Sequence, residues 1–296
     1  SLAARPSVSS SKYLVITLQG RLFEESAEVG TFTPTAALKQ DYPKETDYFD
    51  QSKQLVITAG IDINFVQSAA YNDVINNATN LALLGDEFIA FTEIKDNGDG
   101  TYTLNGVLRG LLDTVPQDHS TNDRIWFLSY GFGLLEDEYQ IGNRATVKYL
   151  PVTSKGVQPI NQATALNIQI QDSAKRPYPP GDVKINDESW PTEIIGDIVV
   201  TWADRNRETQ LALTPQNAHS VTSDEGVSYT VKIFRDDGKL IHAEAGLSEG
   251  RFVYDQEAEK TGNSGEIGEI YWVRITSEST DIDSRYFQQM IFSRGK

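Results

Sequence analysis

Residues Lys95–Gly110 read KDNGDGTYTLNGVLRG, and the fold turns on how the first half of that stretch is taken. Acidic and amide residues alternating with glycine from Asp96 to Gly100 resemble a calcium loop, which would put a helix on each side. Aligned as such a loop, the first ligand position falls on Lys95 and the twelfth, where a bidentate glutamate belongs, on Gly106. An ammonium repels the metal and glycine has no side chain to offer. The flanks DEFIAFTEI (86–94) and TYTLNGVL (101–108) alternate as strands do. The stretch therefore reads as a β-hairpin whose corner is built from good turn formers, with a weak cation site at Asp96 and Asp99 left open.

Working outward, KYLVITLQG (12–20) and KQLVITAGIDINFV (53–66) are further short runs rich in Val, Ile and Thr, and read as strands. In SAAYNDVINNATNLALLG (68–85), Ala69, Ala70, Val74, Ala78, Leu81 and Leu84 recur at roughly helical spacing, which predicts one helix, broken near Asn76 and Asn77. Residues 31–53, with Pro34 and Pro43 and little periodicity, read as a loop or linker. SAKRPYPPGD (173–182) packs three prolines and a glycine into ten residues and reads as a stiff boundary.

Beyond that boundary the alternation is long and clean. Ile198, Val200 and Trp202 share a face, as do Val227, Tyr229, Val231 and Ile233, and Tyr271, Val273 and Ile275. Asp237-Gly238 reads as a two-residue hairpin turn with positive dihedrals. With DVKIN (182–186), RFVY (251–254) and YFQQMIF (286–292) this gives about seven short strands, the layout of a β-sandwich. Trp202 on the second strand, in a chain without cysteine, fits a fibronectin type III-like module better than an antibody-type domain. The predicted class is mainly β, an irregular β-rich N-terminal region with one short helix followed by a fibronectin type III-like β-sandwich. The predicted segments are 1–52 (β segment and linker), 53–175 (β-rich domain) and 180–296 (sandwich, with a polar insertion at 205–226).

Composition narrows the function. The 26 basic against 42 acidic residues of the 296 give a formal charge of −16, which repels nucleic acid and anionic lipid at long range, so no nucleic-acid sequence recognition is expected. The sequence has no long apolar run, hence no expected transmembrane segment, and its start lacks signal-peptide order. Opening at Ser1 in mid-texture, it reads as a piece of a longer protein. Absent cysteine removes disulfides, thiolate metal sites and cysteine nucleophiles.

Other motifs fail on context. GLSEG (246–250) matches the nucleophile elbow around Ser248, yet a strand follows it and the last histidine, His242, precedes it. Carboxylate pairs such as Asp86-Glu87, Glu136-Asp137-Glu138 and Asp236-Asp237 arise readily among 42 acids; a glycosidase built on Glu136 and Asp137 is the third-ranked reading. His119, His219 and His242 stand singly and read as surface or turn residues. No enzyme, cofactor or metal is expected.

What is distinctive is an order of pieces: ATNLALLGDEFIAF (78–91), a short hairpin, YTLNGVLRGLLDT (102–114), His119, then RIWFLS (124–129). The run Gly85-Asp86-Glu87-Phe88-Ile89-Ala90-Phe91 and the block Tyr102 to Gly110 resemble those of the tail-hub proteins of long-tailed bacteriophages, prophages and gene transfer agents. Where that family has Gly-Thr after its arginine block, this chain has Asp113-Thr114. RPYPPGDVKI and GDIVVTWADRNR are a looser match to a Pro-rich linker leading into a type III-like sandwich.

The resemblance implies a structural role in a tail tip or baseplate hub, in tail assembly and host attachment. It also implies a homotrimeric ring, other tail proteins and a host surface receptor as partners, and a place in the virion tail after synthesis in the bacterial cytoplasm. The residues of interest are Asp86, Glu87, Phe91, Gly106, Leu108, Arg109, Gly110 and Trp202, with Leu104 and Leu108 as apolar anchors and Arg109 available to bond a carboxylate or backbone carbonyls. A cell-surface adhesin or glycan-binding module, presenting loops 205–226 and 255–268, is the alternative.

Overall fold

The computed structural model describes residues 2–3, 11–30, 32–129, 132–133, 138–171, 173–211, 213–262, 267–280 and 282–295, and every structural statement below concerns these. Glu136 and Asp137 lie outside them. The fold is mainly β, and its main assemblies are a hairpin-based sheet, a barrel and a sandwich, antiparallel in their pairings except at residues 193–194.

Segments far apart in the chain share one sheet. Strands β1 (Lys12–Gln19) and β2 (Leu22–Val29) form a hairpin, and β1 then pairs with residues 144–153 much further along the chain. Everything between leaves this sheet and returns to it.

What lies between is a closed barrel. Its strands are β3 (Thr35–Leu38), β4 (Phe49–Asp50), β5 (Leu55–Ala59), β6 (Ala82–Leu84), β7 (Glu87–Asp96), β8 (Thr101–Leu108) and β9 (Arg124–Phe127). The antiparallel ladder runs β8, β5, β3, β9, β6, β7 and back to β8. Closure leaves no edge within the ring, and β4 adds to the far end of β8. The interior is filled with side chains, among them Leu38, Leu55, Ile57, Phe91, Leu104 and Phe127. Residues 31–53 are thus no linker, because Thr35–Leu38 is a ring strand and Tyr42, Thr46, Tyr48 and Asp50 are buried. The sheets divide the chain after about residue 30 and near residue 130, not at 52.

The Lys95–Gly110 stretch is the β7–β8 hairpin. Gly98 and Gly100 take positive φ, while Asp96 accepts from the Gly98 amide and Asp99 from the Thr101 amide and hydroxyl. The helix is shorter than its periodicity predicts. α1 spans Tyr71–Asn77 and stops where Ala78 and then Asn80 turn left-handed; Leu81 lies beyond the helix and Leu84 belongs to β6, where pairing to two neighbours overrides the helical spacing.

The C-terminal unit is a sandwich. One sheet orders residues 181–185, 198–203 and 251–254; the other orders 193–194, 288–294, 270–278, 228–235 and 240–247. Three strands against four, with the short 193–194 strand added parallel to the edge, is the fibronectin type III-like arrangement. The alternating residues Ile198, Val200, Trp202, Tyr229, Val231, Ile233, Tyr271, Val273 and Ile275 all face its core. Val227 precedes its strand and only packs against that core. At the turn after Arg235 only Gly238 has positive φ, and the Gly238 amide bonds the Arg235 carbonyl, so the connection is a bulged loop and not the two-residue primed turn. In GLSEG, Gly246 and Leu247 end one strand and Ser248, Glu249 and Gly250 turn into the next.

Candidate functional site

Strand β7 begins with Glu87, and Arg109 follows the last residue of β8; both side chains are fully buried. The Arg109 Nε and Nη2 donate to Glu87 Oε1 and Oε2, each at 2.7 Å, a bidentate pair. Nη1 donates to the Pro43 carbonyl (3.0 Å) and Thr46 Oγ1 (2.9 Å), and Nη2 also to the Gln117 carbonyl (2.8 Å). All five guanidinium donors are used. Glu87 in turn accepts from the amides of Gly110 and Gln117 and from His119 Nε2 at 2.8 Å, which places the imidazole proton on Nε2. The Tyr42 ring lies 4.4 Å beneath the guanidinium.

Four chain segments, 42–48, 87, 109–110 and 117–119, therefore meet at one ion pair. Burial alone pushes the Glu87 carboxyl up, but the Arg109 charge and hydrogen bonds, with His119, hold it down at about 2. Burial opposes the Arg109 charge as well, and Glu87 more than offsets that. A carboxylate held ionised, with its acceptors taken, has no proton to give near neutral pH. Its chemistry is that of a clamp.

The local backbone explains the glycines. Gly106 has φ +59°, and a Cβ there would stand 2.1 Å from Thr92 Oγ1. This kink breaks the strand's alternation, so that Leu104 and Val107 both face the barrel interior while Leu108 turns outward. Gly110 has φ +57°, and a Cβ would lie 2.3 Å from Gln216 Nε2 and 2.6 Å from Pro116 Cδ.

The remaining sequence-selected residues have separate places. Phe91 is buried in the barrel, edge-on to Phe127 at 5.8 Å. Leu108 packs with Val74, Ala90, Leu111 and Leu213 on the barrel's outer side. Asp86 is exposed in the β6–β7 turn, apart from the ion pair. Trp202 lies in the sandwich core, 5.2 Å from Tyr229. His119 is buried, against the surface half of its reading as a surface or turn residue; the signal that could have found it was its place after the arginine block in the tail-hub resemblance.

Unforeseen from the sequence is that the clamp touches the sandwich. Gly110 gives its amide to Glu87 and its carbonyl to Gln216 Nε2. Thr46 accepts from Arg109 through its hydroxyl oxygen and from Trp190 Nε1 through its carbonyl, the latter at 3.0 Å. Arg207 pairs with Asp113 at 2.9 Å and stacks 4.1 Å over Tyr178 of the Pro-rich segment. Gln216, Arg207 and Leu213 all come from 205–226, so this segment is a docking arm seated on the barrel and not a free loop. His219 reaches Asp182, and His242 packs against Phe252 and Tyr254.

These features define a class: a mainly β protein in which a small closed barrel, clamped internally by a buried ion pair, is docked on a fibronectin type III-like sandwich. The family model described as "Rcc01698-like, C-terminal" matches residues 33–126, the span of the barrel. No curated protein matches the chain. Among solved structures it is similar to the chicken CNTN1 FN1-FN3 domains, 10% identical over 89% of this chain and 67% of that one, with a TM-score of 0.26. It is also similar to the Clostridium thermocellum CbhA fibronectin(III)-like modules, 12% identical over 83% and 87%, TM-score 0.21. The BSP domain of a biofilm associated protein is 11% identical over 86% and 52%, TM-score 0.22. The sandwich assignment rests on its strand order.

Proposed function

We propose that this chain is a structural component of a phage or prophage tail tip or baseplate hub, acting in tail assembly and host attachment. One observation carries the reading: the two sequence blocks that resemble tail-hub proteins supply the two halves of the buried clamp, Glu87 and Arg109. The family match over 33–126 falls on the same residues. A clamp that fixes a barrel and passes two of its hydrogen-bonded residues on to a sandwich suits a part that bears load between neighbours. In this reading copies assemble as a homotrimer with other tail proteins, in the virion tail, and the sandwich faces a host receptor.

The adhesin alternative loses one of its two binding loops, since 205–226 is engaged at the junction. The test is gold-labelled antibody against residues 180–296, applied to particles released by the source cells. Label at the distal tail end is the expected result. Unlabelled tails beside labelled cell surfaces would overturn the proposal and promote the adhesin.

A further inference from the structure

The outer face of the larger sandwich sheet carries two adjacent rows of side chains across three strands. Lys232, Arg274 and Gln289 form one row and Phe234, Trp272 and Ile291 the next. Val231, Ile233, Val273, Ile275, Met290 and Phe292 point the other way, into the core. Lys232 and Arg274 are thus like charges directly opposite each other, a pairing that destabilises a sheet unless something neutralises it. Among the described residues no carboxylate reaches ion-pair distance of either cation, in a chain of net charge −16.

The rows are fixed in place. Arg274 lies 3.9 Å from the Phe287 ring and within 5.6 Å of Phe234 and Trp272, and its Nε and Nη2 donate to Gln289 Oε1. The Trp272 indole is anchored through Nε1 to the Arg235 carbonyl at 2.6 Å, tilted against Phe234. Phe287 and Ile291 are 41% and 57% exposed. Beside them opens a cleft of about 350 Å³ whose walls include Trp190, Ile270 and Gln289.

We propose that this face binds an acidic polysaccharide. Sugar rings turn their C–H faces to aromatic and aliphatic side chains, and a uronate carboxylate suits the guanidinium of Arg274 with Lys232 alongside. The surface is a flat, extended platform, which fits a chain of repeating rings better than a single small molecule. An acidic peptide would add to a sheet edge through its main chain, whereas these groups stand on the middle of a face, where no backbone donor is free. The overall negative charge is screened within about 8 Å at physiological salt, so the local cations decide. The inference rests on the host-attachment reading and names its ligand class.

The test uses the full chain at physiological ionic strength, with polygalacturonate, neutral dextran and polyglutamate as probes in titration calorimetry. Polygalacturonate is expected to bind, dextran not, and Lys232→Glu or Arg274→Gln to weaken binding by about tenfold or more. Lys232 is on the surface, so its variant keeps the fold, checked by an unchanged melting temperature. Absent binding, binding indifferent to both substitutions, or equal binding of polyglutamate would each overturn the proposal. Gold label at the tail end beside such a result would leave the tail reading standing and remove only the glycan.

Discussion

Glu87 accepts five hydrogen bonds in a site closed to water, and its energetics follow from that enclosure. Replacing it by glutamine leaves the Arg109 guanidinium buried without a counter-charge, a loss of about 3–5 kcal/mol. Denaturant unfolding of Glu87→Gln at neutral pH measures this, and a loss under about 1 kcal/mol would mean the pair is not a clamp. The same carboxyl gives a pH dependence. Its folded value, about 2, lies below its ordinary 4.5, so the unfolded chain takes up the proton first. The stabilisation is complete above about pH 4.5 and disappears as pH falls through 2, an effect on the order of 3 kcal/mol. Stability measured between pH 2 and 5 should fall more steeply in the wild type than in Glu87→Gln.

At the scale of elements, the β7–β8 hairpin shows which glycines the fold requires. Gly98 and Gly110 both have positive φ, but a Cβ at Gly98 meets nothing within 4 Å while one at Gly110 collides with Pro116 and Gln216. Gly98→Ala is therefore expected to cost about 1 kcal/mol, from backbone strain alone. Gly110→Ala should exceed that by at least about 2 kcal/mol, because side chains on two sides must move. Equal melting temperatures for the two variants would contradict the packing argument. α1 makes the complementary point: its apolar spacing continues past Asn77, yet Ala82–Leu84 pairs in the ring instead. Helical spacing in a short run is a weak preference, and two ladders of hydrogen bonds outweigh it.

For the whole molecule, the docking arm couples barrel and sandwich. Leu213 is fully buried against Leu108 and Leu111, and Gln216 bridges the Gly110 carbonyl to Gln288. Truncating Leu213 to Ala should cost about 2–5 kcal/mol, and Gln216→Ala leaves buried carbonyls short of a donor. The wild-type chain is expected to melt in one calorimetric transition and the Leu213→Ala/Gln216→Ala variant in two. A double variant that still melts in one unshifted transition would show that the arm does not couple the units.

The sandwich strands were legible because each is half-buried, so period-2 alternation is written into residues such as Ile198, Val200 and Trp202. The β7–β8 hairpin was legible because its corner needs particular turn residues. The barrel was not: TAAL at 35–38 has no strand signature, and it became a strand only by pairing with Leu55–Ala59 on one side and Arg124–Phe127 on the other. Glu87, Arg109 and His119 were each visible as residues, and the family resemblance marked their order. That they meet, and that Glu87 is held ionised without water, depends on ring closure bringing distant segments together. Local preference sets strands and turns, whereas non-local pairing and desolvation exist only in the assembled fold.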